Sequence, residues 1–192
     1  FENIDVPPTL VSFAVSTANS DTIVSQEFKR AGSKVVLIKP DYDENGLPVF
    51  ESVRSVFERV EKLIEDGSVL SSWAVSFGGV SEAIAKMSFG NKIGFKFTDK
   101  VTANELYRHC YGAFVLELAQ GVETDERVIG ETISEYCVIT SEYAVDLVKI
   151  EKLWEDKLEP VFPTKIKKPE ASLKEFSFVN DVKLAPAIKV AK

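Results

Sequence analysis

Residues 76–94 read SFGGVSEAIAKMSFGNKIG. Gly78 and Gly79 deliver the chain into a helix-period run in which Val80, Ala83, Ile84 and Met87 share one face, and Gly90-Asn91 leads out of it. A helix that starts on glycines presents unpaired N–H groups with no Cβ in front of them, and the helix dipole adds positive potential there. An anion such as phosphate is well served by that arrangement. The candidate phosphate- or nucleotide-binding residues are therefore Ser76, Gly78, Gly79, Val80 and Ser81. Glu82 stands in the first turn and opposes a phosphate unless it faces away. The competing reading is a plain strand-to-helix turn, because neither GxGxxG nor GxxxxGK followed by Ser or Thr occurs in the chain.

Other residue groups carry less chemistry. His109 and Cys110 are adjacent, and neighbours in a helix or strand point in different directions, so the pair is a poor nucleophile and base; no catalytic residue is assigned. Cys137, between Tyr136 and Val138, reads as core. The acidic groups Asp41, Asp43, Glu44 and Glu123, Asp125, Glu126 lack the calcium-loop spacing and read as solvated loop charge, so no metal ligand is assigned. Lys92 follows the second glycine turn closely enough to reach a ligand in the crevice, and Trp73 reads as core.

The elements that must position these residues follow from periodicity. Residues 9–17, TLVSFAVST, are β-branched and aromatic and read as a central strand; a short helix is expected at residues 25–31, capped by Ser25 and ended by Gly32. KVVLIK, residues 34–39, is a buried strand stopped by Pro40. Asn45-Gly46 marks a turn, and Val49, Val53, Val56, Phe57, Val60, Leu63 and Ile64 recur at offsets of three and four, giving the clearest helix, with Gly67 as its stop. Strands are expected at residues 69–77, 92–97, 113–119 and 132–140, a short helix at residues 103–109, and a further helix through Leu147, Ile150, Trp154 and Leu158. Residues 1–159 are expected to form one domain, and residues 160–192, rich in lysine and proline, a linker or docking arm.

Composition sets the outer bounds. The chain has 192 residues, 45% of them hydrophobic, enough for one full core. Its net charge of -7 argues against nucleic acid or an anionic membrane as a partner through electrostatics. Two cysteines without CxxC spacing and a single histidine support neither a disulfide framework nor a metal site, and point to a cytoplasmic, reducing compartment. No run approaches the roughly 18 apolar residues of a membrane span. The chain begins at Phe1 without methionine, which suggests a piece of something longer.

The combination VPPTLVSFAVST, EFKRAGSKVVLI and GGVSEAIAKMSFGNKIGF resembles the C-terminal domain of the aminoimidazole ribonucleotide (AIR) synthetase superfamily, and within it the phosphoribosylformylglycinamidine synthases. The likeness runs over residues 6–143, with residues 78–94 the most specific part. It implies an α/β (α+β) fold, a mixed β-sheet with packed helices. It also implies a parent enzyme in which ATP, with Mg, activates the formamide oxygen of formylglycinamide ribonucleotide and ammonia from glutamine displaces it. The partners so implied are a preceding ATP-binding domain, a following glutaminase domain and a phosphorylated small-molecule substrate. The likeness suggests the second synthetase half of such a parent.

One departure bears on the metal. Many relatives carry D-x-S-D-G-G at the glycine turn, whereas Ala74-Val75-Ser76-Phe77 stands here with no acid. The family's ATP-binding and catalytic groups lie mainly on the preceding domain, so the isolated chain is expected to be inactive and to self-associate through the face that domain would cover. Two alternatives stay open: a structural or docking module that binds nothing, and the corresponding domain of another superfamily member, such as a selenophosphate synthetase or a thiamin-phosphate kinase.

Overall fold

In the computed structural model the described residues are 8–98 and 100–165, and they fall into two units, one ending at Lys157 and the other beginning at Leu158. The first unit holds a seven-stranded mixed sheet. Its strands are β1 (Lys34–Ile38), β2 (Val69–Ala74), β3 (Gly94–Phe97), β4 (Phe114–Leu118), β5 (Val128–Ile133), β6 (Cys137–Ile139) and β7 (Ala144–Asp146). They lie in the order β2-β4-β1-β5-β3-β6-β7, antiparallel throughout except for the parallel pair β3 and β6. Helices α1 (Phe50–Glu65), α2 (Gly79–Phe89), α3 (Ala103–Tyr107) and α4 (Leu147–Asp156) complete it.

The unbroken apolar run of β1 follows from its place near the middle of the sheet, with both faces covered. Val35 and Leu37 point into a core shared with Val80, Ala83, Ile84 and Met87 of α2, while Val36 and Ile38 point into a second core shared with Val56, Val60 and Leu63 of α1. The period of two along one strand thus divides the molecule into two apolar layers. Helix α1 stops as its sequence dictates. Gly67 takes a left-handed φ of 75°, and the amides of Gly67 and Ser68 donate to Ile64 O and Leu63 O at 3.1 and 3.0 Å.

Glu117 on β4 is fully buried, and its side-chain oxygens accept from the amides of Lys29 and Arg30 and from Ser71 Oγ, at 2.8, 3.3 and 2.8 Å. Those bonds satisfy the buried side-chain oxygens. They also fasten residues 28–30 to the sheet, beside Phe28, whose ring stacks on Phe95 at 5.8 Å.

Several expectations are corrected here. Residues 9–17 form no strand: they carry no regular structure, and Leu10, Phe13 and Val15 are 92%, 90% and 97% exposed. Residues 25–31 carry bends and a turn rather than a helix, and the amides of Lys29 and Arg30 donate to the Glu117 carboxylate. The expected strand over residues 132–140 divides, its first residues ending β5 and the rest forming β6. The expectation of a linker or docking arm falls largely on residues 166–192, outside the described residues. Among the described residues, no helix is long and apolar enough to cross a membrane.

Candidate functional site

The turn between β2 and α2 is shaped by two glycines acting differently. Gly79 has φ of 68°, and a Cβ there would come within 2.7 Å of both Leu106 O and Arg108 O, so the C-terminal end of α3 closes directly over it. At Gly78 a Cβ would meet Glu82, 2.5 Å from its Oε2. The missing side chain is what lets Glu82 fold back over the turn.

Glu82 is the centre of the hydrogen bonding. Its Oε2 accepts from Gly78 N–H at 2.9 Å and from Ser76 Oγ at 3.2 Å, and its Oε1 accepts from Lys86 Nζ at 2.7 Å. Chiefly the Lys86 bond, and then the Gly78 and Ser76 bonds, hold its carboxyl below the usual carboxylate range against the opposing effect of burial. Lys86 lies 5.7 Å from the ring centre of Trp73 and 6.0 Å from that of Trp154, so its ammonium is held between two indoles as well as by Glu82.

The five expected binding residues are therefore placed unequally. Ser76 is exposed and Gly78 half-buried, and both donate to Glu82. Gly79 and Val80 are buried, the Gly79 amide bonding to Ser76 O at 3.1 Å. Ser81 is half-buried and its hydroxyl donates to Gly78 O at 3.0 Å. A carboxylate of the chain itself occupies the position in which an anion would meet the Gly78 amide, and an incoming phosphate must displace it. Glu82 does not face away, as the sequence reading required for an anion, and nothing in the local sequence signals this beyond the four-residue spacing from Gly78.

Two other candidates resolve plainly. Lys92 does not approach this turn; it pairs with Glu151 on α4 and lies 5.4 Å from the ring centre of Tyr136. His109 donates from Nδ1 to Phe77 O at 2.7 Å, its ring lying between those of Phe77 and Tyr111, while Cys110 is buried. Burial, with the neighbouring Cys110, pushes the Tyr42 hydroxyl up to about 12. Among the described residues no three His, Cys, Asp or Glu gather as a metal site. The residues of the turn do not suit Mg either, since the single carboxylate there already accepts from three donors.

No family model matches the chain. It is 25% identical over 187 residues to the phosphoribosylformylglycinamidine synthase subunit PurL of Lactobacillus delbrueckii subsp. bulgaricus, a match covering 83% of the chain and 25% of that protein. The structure of Thermotoga maritima PurL complexed with FGAR superposes with a TM-score of 0.58 at 15% identity, over 83% of the chain and 33% of that one. T. maritima PurL complexed with AMPPCP gives 0.55 at 19% identity, over 84% and 32%. The chain thus spans about a quarter of the length of the curated relative, and in sequence and fold it is similar to part of PurL.

Proposed function

We propose that the chain is the C-terminal AIR synthase-like domain of one synthetase half of a phosphoribosylformylglycinamidine synthase, the second half by its resemblance. The parent would be an ATP-dependent amidoligase of purine biosynthesis, which converts formylglycinamide ribonucleotide, glutamine and ATP to the amidine. The observation that carries this reading is the match in sequence and fold over 83% of the chain, in a segment that includes the glycine turn. Two matching PurL structures are complexes with FGAR and with AMPPCP, which supports a phosphorylated substrate and a nucleotide for the parent. Residues 1–159 would be the working domain, and residues 160–192 a linker toward a glutaminase.

In this reading the domain supplies one wall of a phosphate crevice. Ser76 Oγ and the Gly78 amide are the donors that a phosphate could reach once Glu82 swings out, and Lys86 moves with the carboxylate it holds; Ser81 borders them. The family resemblance puts the parent's catalytic groups mainly on the preceding domain, so the isolated chain would not turn over substrate. Titration of the chain with ATP and with inorganic phosphate, followed by amide chemical shifts, tests the wall: saturable movement confined to residues 76–82 is expected. Release of ADP by the chain alone, given ATP, ammonia and formylglycinamide ribonucleotide, would contradict the assignment of catalysis to the rest of the parent.

A second reading is favoured by one observation. Because Glu82 already satisfies the Gly78 and Ser76 donors, the turn is complete without a ligand, as a purely structural or docking module requires. Amide shifts that stay flat at residues 76–82 up to millimolar phosphate and ATP would establish it.

A further inference from the structure

Next to the first turn of α2, where Ser81 and Glu82 border it, α2, α3, β3, β6, β7 and α4 leave a cavity of about 320 Å³. Ala85, Leu106, Val138, Val145 and Ile150 are among the residues that line it, so its walls are mainly apolar. Of its polar lining, the Ser81 hydroxyl donates to Gly78 O and the Thr140 hydroxyl to Tyr143 O, so neither offers a free proton to a ligand. At its rim the hydroxyls of Tyr107 and Tyr143 lie 3.2 Å apart. One hydroxyl donates to the other, which leaves one O–H and free lone pairs for a third group. The carboxylate of Glu82 also borders the cavity, but its bonds run to Lys86, Gly78 and Ser76, so it brings no unpaired charge to a ligand.

These features select a class of occupant. An apolar cavity of about 150 Å³ takes one benzene ring, so a space of about twice that volume accommodates two fused rings. A charged group would lose its hydration without finding a counter-charge. We propose that this cavity is a binding site for an uncharged, planar compound of one or two rings carrying one hydrogen-bonding group, which meets the Tyr107 and Tyr143 hydroxyl pair. It is separate from the Ser76 and Gly78 donors and does not depend on the anion reading of that turn.

The test uses the 192-residue chain with p-cresol and indole as probes, toluene as a ring without a polar group, and inorganic phosphate as a charged control, read from the methyl shifts of Leu106, Val138 and Ile150. Saturable shifts with p-cresol and indole, and none with phosphate, are expected. Ala85→Phe, which fills the cavity from α2, should weaken both probes at least about tenfold. Tyr143→Phe should weaken p-cresol about three- to tenfold, the worth of one hydrogen bond, while leaving toluene unchanged. Should Ala85→Phe lose its native spectrum, the Tyr143→Phe comparison decides alone. Methyl shifts that do not saturate by several millimolar probe would overturn the site; so would shifts that survive Ala85→Phe in a folded chain, or equal losses of toluene and p-cresol in Tyr143→Phe.

Discussion

At the scale of single residues, the turn depends on what Gly79 lacks. Its backbone is left-handed, and α3 lies so close that a methyl group would strike two carbonyl oxygens at 2.7 Å. Gly79→Ala must therefore adopt an unfavourable backbone region and push α3 away. It should cost about 2 kcal/mol or more, seen as a lower urea midpoint with an unchanged slope. The sequence made the glycine pair conspicuous, and their reason for being there proved to be twofold: approach of α3 at Gly79 and room for Glu82 at Gly78. That second role was not legible. Whether a first-turn glutamate faces outward or folds back depends on Ser76, Lys86 and two tryptophans that converge only in the fold.

At the scale of elements, local signals succeeded where one element satisfies itself. The apolar stripe of α1 and its glycine stop, and the apolar face of α2, appear where the periodicity puts them. They failed where a segment is defined by a distant partner. Residues 25–31 carry a capping residue and a glycine stop, yet Glu117, some ninety positions away, takes the amides of Lys29 and Arg30, and the helix does not form. Residues 9–17 carry strong β propensity, which reflects fitness for a half-buried pleated surface rather than a backbone preference, and they have no such surface among the described residues.

The short helix α3 gives an element-scale prediction. Thr102 and Glu105 form a reciprocal cap, and Glu105 also pairs with Arg127 at 2.7 Å. The Arg127 bond, followed by the Thr102 amide, holds the Glu105 carboxyl down at about 2, below the ordinary value of about 4.3 for an unfolded glutamate. A depressed folded value means the unfolded chain binds the proton first. The contribution is thus complete above about pH 4.5 and is lost as pH falls toward 2. Both side chains are more than a third exposed, so solvent and salt reduce it. In Glu105→Gln the fall of the urea midpoint between pH 5 and pH 2 should be shallower than in the parent chain, and equal slopes would contradict this.

At the scale of the whole molecule, exposed apolar side chains are concentrated outside the sheet. Leu10, Phe13 and Val15 are almost fully open to water, and Phe50, at the start of α1, is 85% exposed. Exposed apolar groups of this kind favour association. We therefore expect self-association: light scattering should show a mass that rises with concentration across the micromolar range, and Leu10→Ser with Phe13→Ser should reduce it. A mass independent of concentration would count against that. The net charge of -7 opposes close approach of copies, so added salt should strengthen the association.

Under the proposed function, the Glu82 carboxylate holds the place that a phosphate takes at Ser76 and Gly78. The direct measurement is a paired titration of the parent chain and Glu82→Ala with inorganic phosphate at pH 7, following the amides of Gly78 and its neighbours. Removal of the carboxylate should free the Ser76 and Gly78 donors and Lys86 together, and tighten phosphate by about tenfold or more, the worth of one or more charge-assisted bonds no longer displaced. Equal affinities in the two chains, or no movement of Gly78 in either, would contradict it.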